Sequence, residues 1–249
     1  MKKKEISLKD LLEAGAHFGH QAERWNPKMK PYLYTVKDGV HVFDLVKTKE
    51  GLQKAIEFVR KFSAEGKTIV FVGTKRQAQA IVAEEAKKIG VPYISQRWLG
   101  GTLTNWEQIK KSIDQLVEMK EKMAKGEYKK YTKKERLLLD RKIRWLERFF
   151  GGMVSLKGLP EALFVVDIQK EALAVKEAKK KGLTVVALVD SNADPDMVDY
   201  VIPANDDAVG TIKLIVAAIA EAVKEGKEIF ANLFLREILN PRSRVSSIC

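Results

Sequence analysis

Two short segments of this 249-residue chain set an indole among guanidinium, ammonium and amide groups. They are Arg24-Trp25-Asn26-Pro27-Lys28-Met29-Lys30 and Arg97-Trp98-Leu99-Gly100-Gly101-Thr102-Leu103-Thr104-Asn105. A ring beside Arg offers a base a stacking face and a phosphate a charged donor, the pairing that RNA-binding surfaces use. Read alone, either Trp is equally a core anchor. A third candidate is Gly73-Thr74-Lys75-Arg76, which follows an apolar run and opens a stretch of helical period. Free amides at a helix start beside Lys75 and Arg76 suit a phosphate oxygen. The glycine spacing of a nucleotide-hydrolysing P-loop is missing, however, so an RNA phosphate or a plain solvated turn fits better than an enzyme site.

Oxygen ligands recur at every second position in Asp190-Ser191-Asn192-Ala193-Asp194-Pro195-Asp196, and Asn205-Asp206-Asp207 follows the next apolar run. An EF-hand loop needs Gly where Pro195 stands and a bidentate Glu where Val201 stands. Asp190 and Asp206 are still candidate ligands for a hard cation such as Mg²⁺. The simpler reading is that these side chains cap turns, with Asp206 or Asp207 capping the last helix. His17 and His20, with His41 further on, raise Zn²⁺, which takes three or four protein ligands. RNA contacts or structural roles compete for these imidazoles. No catalytic spacing stands out. The chain is therefore expected to need no cofactor, with a Mg²⁺ or Zn²⁺ ion the one candidate.

The elements that must position these groups are legible as alternating patterns. Apolar runs at Thr68–Val72, Pro92–Ser95, Ala162–Val166, Thr184–Val189 and Tyr200–Ile202 read as strands of a buried parallel sheet. Stretches of helical period lie between them, at about Lys47–Ser63, Arg76–Ile89, Lys170–Lys181 and Asp207–Lys224. The last carries Ile212, Ile215, Val216, Ile219 and Val223 at helical spacing and is expected to pack on the sheet. Tyr32–Val36 and Val40–Phe43 flank Lys37-Asp38-Gly39, a hairpin signal.

Residues 105–153 break the alternation. Trp106, Ile109, Ile113, Leu116 and Met123 follow near-heptad spacing with a gap at Lys120, and Leu139, Ile143, Leu146, Phe150 and Met153 step by four and three. The pattern predicts an inserted antiparallel helical hairpin with a basic outer face. The fold class expected is α/β: an open, mainly parallel sheet flanked by helices, flavodoxin-like or Rossmann-like, with an N-terminal β-hairpin. The domain plan is an α/β domain over 1–104 and 154–226, the hairpin at 105–153 and a C-terminal extension at 227–249.

Charge follows this plan. The chain carries +12, of which residues 107–157 hold +7, while residues 158–226 hold −5. Localised positive charge calls for a polyanion, and the acidic lobe for protein contacts or a cation. With 45% hydrophobic and 31% charged residues the chain can bury a core. No run approaches the roughly 18 apolar residues of a membrane span. The basic start leads into an amphipathic stretch, not the apolar core of a secretory signal. The single cysteine, Cys249, forms no intrachain disulfide. A cytoplasmic protein with no membrane partner is expected.

At these same segments the chain resembles the bacterial small-subunit ribosomal protein S2 (uS2) family. The resemblance rests on Gly15–Gln21, Arg24–Tyr32, Phe71–Ala78, Arg97–Asn105, Asp190–Asp196 and Ile202–Ala208, in the family's order over most of the chain. It implies a noncatalytic constituent of the small ribosomal subunit that binds small-subunit rRNA and helps to recruit ribosomal protein S1, with no small-molecule substrate. The RNA-binding residues expected are Arg24, Trp25, Lys28, Lys30, Lys75, Arg76, Arg97 and Trp98. The hairpin adds Lys129, Lys130, Lys133, Lys134, Arg141 and Arg144.

Overall fold

The computed structural model describes residues 6–239, the side chains of residues 234–239 excepted. The basic start and the tail with Cys249 lie outside the described residues. Ser7 opens α1 (Leu8–Glu13) through a capping box with Asp10, which satisfies amides that the first helical turn leaves free. Next come β1 (Phe18–Gln21), β2 (Leu33–Lys37) and β3 (Val40–Phe43), an antiparallel sheet in the order β1-β3-β2. Asp38 and Gly39 both have positive φ, 51° and 75°, so the expected hairpin turns through two left-handed residues whose twist matches that of its strands. β1 has no counterpart in the sequence reading. Its Phe-Gly-His-Gln lacks a strand pattern, and pairing with β3, Phe18 opposite Val42, is what makes it a strand.

The α/β domain continues with α2 (Leu45–Ala64), β4 (Ile69–Val72), α3 (Arg76–Lys88) and β5 (Tyr93–Ile94). The hairpin helices follow, α4 (Trp106–Ala124) and α5 (Lys133–Phe150). The chain then returns as β6 (Ala162–Val166), α6 (Ala172–Lys181), β7 (Thr184–Val189), β8 (Tyr200–Pro203) and α7 (Val209–Leu239). All pairings in the five-stranded sheet are parallel, in the order β5-β4-β6-β7-β8. This is the flavodoxin-like winding, and its strand order reverses between β4 and β6. α7 runs unbroken past residue 226, so residues 227–239 continue the last helix of the sheet domain.

Strand alternation divides the core into two layers. Ile69, Phe71, Phe164, Val166, Val186 and Leu188 face α2, α3 and α7, where Ile212, Ile215, Val216, Ile219 and Val223 are buried as their spacing required. Val70, Val72, Leu163, Val165, Val185 and Ala187 face α6 and the base of the hairpin. Burial on both faces explains why these strands read as unbroken apolar runs.

In the hairpin, Ile109, Ile113 and Leu116 of α4 pack with Ile143, Leu146 and Phe150 of α5, and Leu139 is partly buried. One expected seam residue is misplaced. Met123 is 51% exposed, and Met119 is buried in its stead. Helix rotation does not account for the swap, since position 123, seven residues after Leu116, returns to within about 20° of it; the seam thins at this end, where Leu139 of α5 is itself only partly buried.

Candidate nucleic-acid interface

The segment Arg97–Asn105 wraps around one carboxylate. Glu177, on α6, accepts the amides of Gly101 at 2.8 Å, Leu103 at 2.9 Å and Thr104 at 3.1 Å. It also accepts the Thr104 hydroxyl and the Trp98 indole N–H, each at 3.2 Å. Gly101 has φ 91°, the left-handed turn that aims its amide inward. Burial alone would raise the Glu177 pKa, but the amides hold it below the ordinary glutamate value. Trp98 is therefore not the base-stacking residue expected. It is 6% exposed and belongs to the core, whereas Arg97 beside it is exposed.

The Gly73–Arg76 turn likewise holds a carboxylate where a phosphate was considered. Glu171 accepts the Thr74 amide at 3.0 Å and also the Thr74 hydroxyl, and burial pushes its pKa up. Lys75 Nζ lies 2.5 Å from Asp206, 2.6 Å from Asp207 and 3.3 Å from Asp167, with its side chain only 12% exposed. Burial would lower the Lys75 pKa, but Asp206 and Asp207 hold it well above the ordinary value. Lys75 thus serves as an internal counter-ion rather than as the phosphate contact expected. The next residue, Arg76, is exposed.

Around Lys75 the ends of β4, β6, β7 and β8 converge on an acidic cluster. Asp190 accepts the Ser191 amide at 2.6 Å and the Asp206 amide at 3.0 Å, and its Oδ1 lies 2.9 Å from His20 Nδ1. This bond to Asp190 raises the His20 pKa, while burial, Asp190 and Asp167 push that of Asp206 upward. His20, Asp190 and Asp206 present three ligand atoms, all within 4.8 Å of one another. One imidazole and two carboxylates are a donor set that suits Zn²⁺, and the carboxylates suit Mg²⁺. The sequence had split this set into a histidine candidate and a carboxylate candidate. His17 and His41 do not join it: His17 packs on Phe18 at 3.9 Å and His41 on Trp25 at 4.9 Å. Nor do Asp206 and Asp207 cap α7 through their carboxylates, because Asn205 Oδ1 accepts the Asp207 and Ala208 amides.

In the first tryptophan segment, Lys28 Nζ bridges Asp194 and Asp196, at 2.8 Å from each, so its charge too is engaged within the chain. Arg24 and Lys30 are exposed and Trp25 is half-buried. On the hairpin, Lys129, Lys130, Lys133, Lys134 and Arg141 are exposed and make no ion pair among the described residues, whereas Arg144 pairs with Asp140. Aromatic groups cluster beyond the residues expected. Trp145 is 53% exposed and packs on Phe149 at 5.2 Å, and Arg148 lies over Phe149 at 5.6 Å. The signal for them was present in the spacing of Arg141, Trp145 and Arg148, which step by four and three along the face opposite the seam.

A family model described as Ribosomal protein S2 matches residues 11–226. The chain is 54% identical over 222 residues to the small ribosomal subunit protein uS2 of a Roseiflexus species, a match that covers 89% of this chain and 85% of that protein. It is 52% identical to the uS2 of Roseiflexus castenholzii, covering 89% and 84%, and 51% identical to that of a Nitratiruptor species, covering 90% and 84%. The winding of the sheet, the inserted hairpin and the match along nearly the whole chain agree: the chain belongs to the ribosomal protein S2 family.

Proposed function

We propose that this chain is a structural, noncatalytic constituent of the small ribosomal subunit that binds small-subunit rRNA in the cytoplasm. The observation that carries this reading is the identity of just over half with proteins named small ribosomal subunit protein uS2. The chain's exposed cations support it. Arg24, Lys30, Arg76 and Arg97 on the α/β domain and Lys129, Lys130, Lys133, Lys134 and Arg141 on the hairpin are open to phosphate, while Lys28, Lys75 and Arg144 are neutralised at home. Trp25, beside Arg24, is only half-buried. The filled turn at Thr74 speaks against a nucleotide or phosphosugar enzyme, because a second anion there would face the Glu171 carboxylate.

The acidic cluster is read as a structural cation site, because Asp190 and Asp206 are buried. A bound Zn²⁺ or Mg²⁺ would tie β1 to the ends of β7 and β8 through His20, Asp190 and Asp206. Neighbouring ribosomal proteins, S1 among them, are proposed as further partners of the chain. The direct test is purification of small subunits at increasing salt. Stoichiometric recovery at low salt, with rRNA affinity falling steeply as salt rises, is expected; recovery away from subunits at low salt, or affinity independent of salt, overturns the reading.

A further inference from the structure

A groove of about 560 Å³ runs between α3 and the foot of the hairpin. Its floor is one face of α3, where Ala80 and Ala83 leave space between Arg76 and Lys87. Eleven residues of helix rise separate those two cations by roughly 16 Å. The opposite wall is Tyr93 of the edge strand β5 and Gln96, two residues past that strand, with Arg148 and Phe149 from the end of α5. The wall is held close: a Cβ at Gly152 would sit 2.2 Å from the Tyr93 carbonyl oxygen, so only glycine lets the hairpin foot meet β5.

Lys87 and Arg148 make no ion pair among the described residues, and neither does Arg76. Lys87 rests 5.7 Å from the centre of the Tyr93 ring, and Arg148 rests over Phe149 while its Nε donates to Gln96 at 3.4 Å. Glu147, the acid on the rim, is occupied by Lys120. Cations parked on rings are weakly held, and a phosphate that draws them off uncovers the aromatic faces. A polyanion carrying flat groups satisfies both halves at once; an acidic peptide satisfies only the charge.

We propose that this groove holds a short unpaired segment of RNA, with phosphates on Arg76, Lys87 and Arg148 and bases against Phe149 and Tyr93. The inference rests on the rRNA-binding reading above and adds to Arg76, which the resemblance already implied, contacts at Lys87, Tyr93, Arg148 and Phe149 that it did not assign.

The test uses the full chain with small-subunit rRNA, by filter binding across a salt series and by ultraviolet cross-linking with peptide mapping. Wild-type protein should cross-link at Phe149 or Tyr93. Lys87→Ala with Arg148→Ala should weaken binding and shallow the log–log salt slope by about 1.4, two single-strand phosphate contacts, with the melting temperature unchanged. Phe149→Leu should weaken binding without altering the slope, which separates stacking from charge. Cross-links confined to the hairpin tip, or a full slope in the Lys87/Arg148 variant, overturn the groove while leaving the functional reading standing. Failure of wild-type protein to bind rRNA removes that reading as well. Displacement of rRNA from the groove by polyglutamate more readily than by polyadenylate overturns the RNA assignment in favour of an acidic protein.

Discussion

The indole N–H of Trp98 and the carboxylate of Glu177 meet at 3.2 Å inside the protein, although 79 residues separate them. That bond turns an Arg-Trp pair that resembles an RNA contact into a scaffold holding the loop from which Arg97 projects. Glu177→Ala leaves three inward amides without an acceptor and should cost on the order of 3 kcal/mol or more. Trp98→Phe should cost less, and neither should change the salt slope of rRNA binding. Urea unfolding beside filter binding checks both, and a loss of slope with Trp98→Phe would return the ring to the RNA surface.

Two buried glutamates should give opposite pH responses. The folded pKa of Glu177 lies below the ordinary 4.5, so its contribution is full above that value and is lost as pH falls through the folded pKa. Glu171, raised by burial, contributes fully below 4.5 and loses that contribution as pH rises toward its folded pKa. Glu177→Gln should therefore flatten the acid limb of a plot of urea midpoint against pH. Glu171→Gln should flatten the fall in urea midpoint as pH rises above 4.5 and leave the acid limb in place.

Adjacent cations in the Gly73–Arg76 turn should behave differently. Lys75→Ala strands Asp167 and Asp206 without their counter-ion and should destabilise the fold by about 3 to 5 kcal/mol. Arg76→Ala should leave the melting temperature near wild type and shallow the rRNA salt slope by roughly 0.7 to 0.9. Equal effects of the two substitutions on stability would contradict the assignment of Lys75 as counter-ion.

In the hairpin, Ile143→Ala should cost about 2 to 4 kcal/mol, because Ile143 is buried in the seam. Met123→Ala, at an exposed position, should stay within about 0.5 kcal/mol of wild type. Differential scanning calorimetry of the two variants tests the seam directly.

Zinc titration of the metal-depleted chain should raise the melting temperature in a saturable way, since an ion that binds only the folded state stabilises it. His20→Ala should abolish the shift, and His17→Ala, outside the cluster, should not. A shift that survives His20→Ala would place the ion elsewhere.

Sequence alone determined the order of elements from β2 onward, the parallel sheet buried on both faces, the hairpin and most of its seam, because period and apolarity are local properties of the chain. It also marked the segments that carry chemistry. Tertiary structure alone decided what each marked residue does. Lys75 meets Asp206 across 131 positions and Lys28 meets Asp194 across 166, so no local pattern shows that these cations are already neutralised. His20 joins Asp190 and Asp206 only because β1, a strand by pairing rather than by pattern, is laid beside the ends of β7 and β8. A side chain's type is written in sequence; its partner is set by which strand ends the winding brings together, and for charged groups the partner determines whether any charge is left over for RNA.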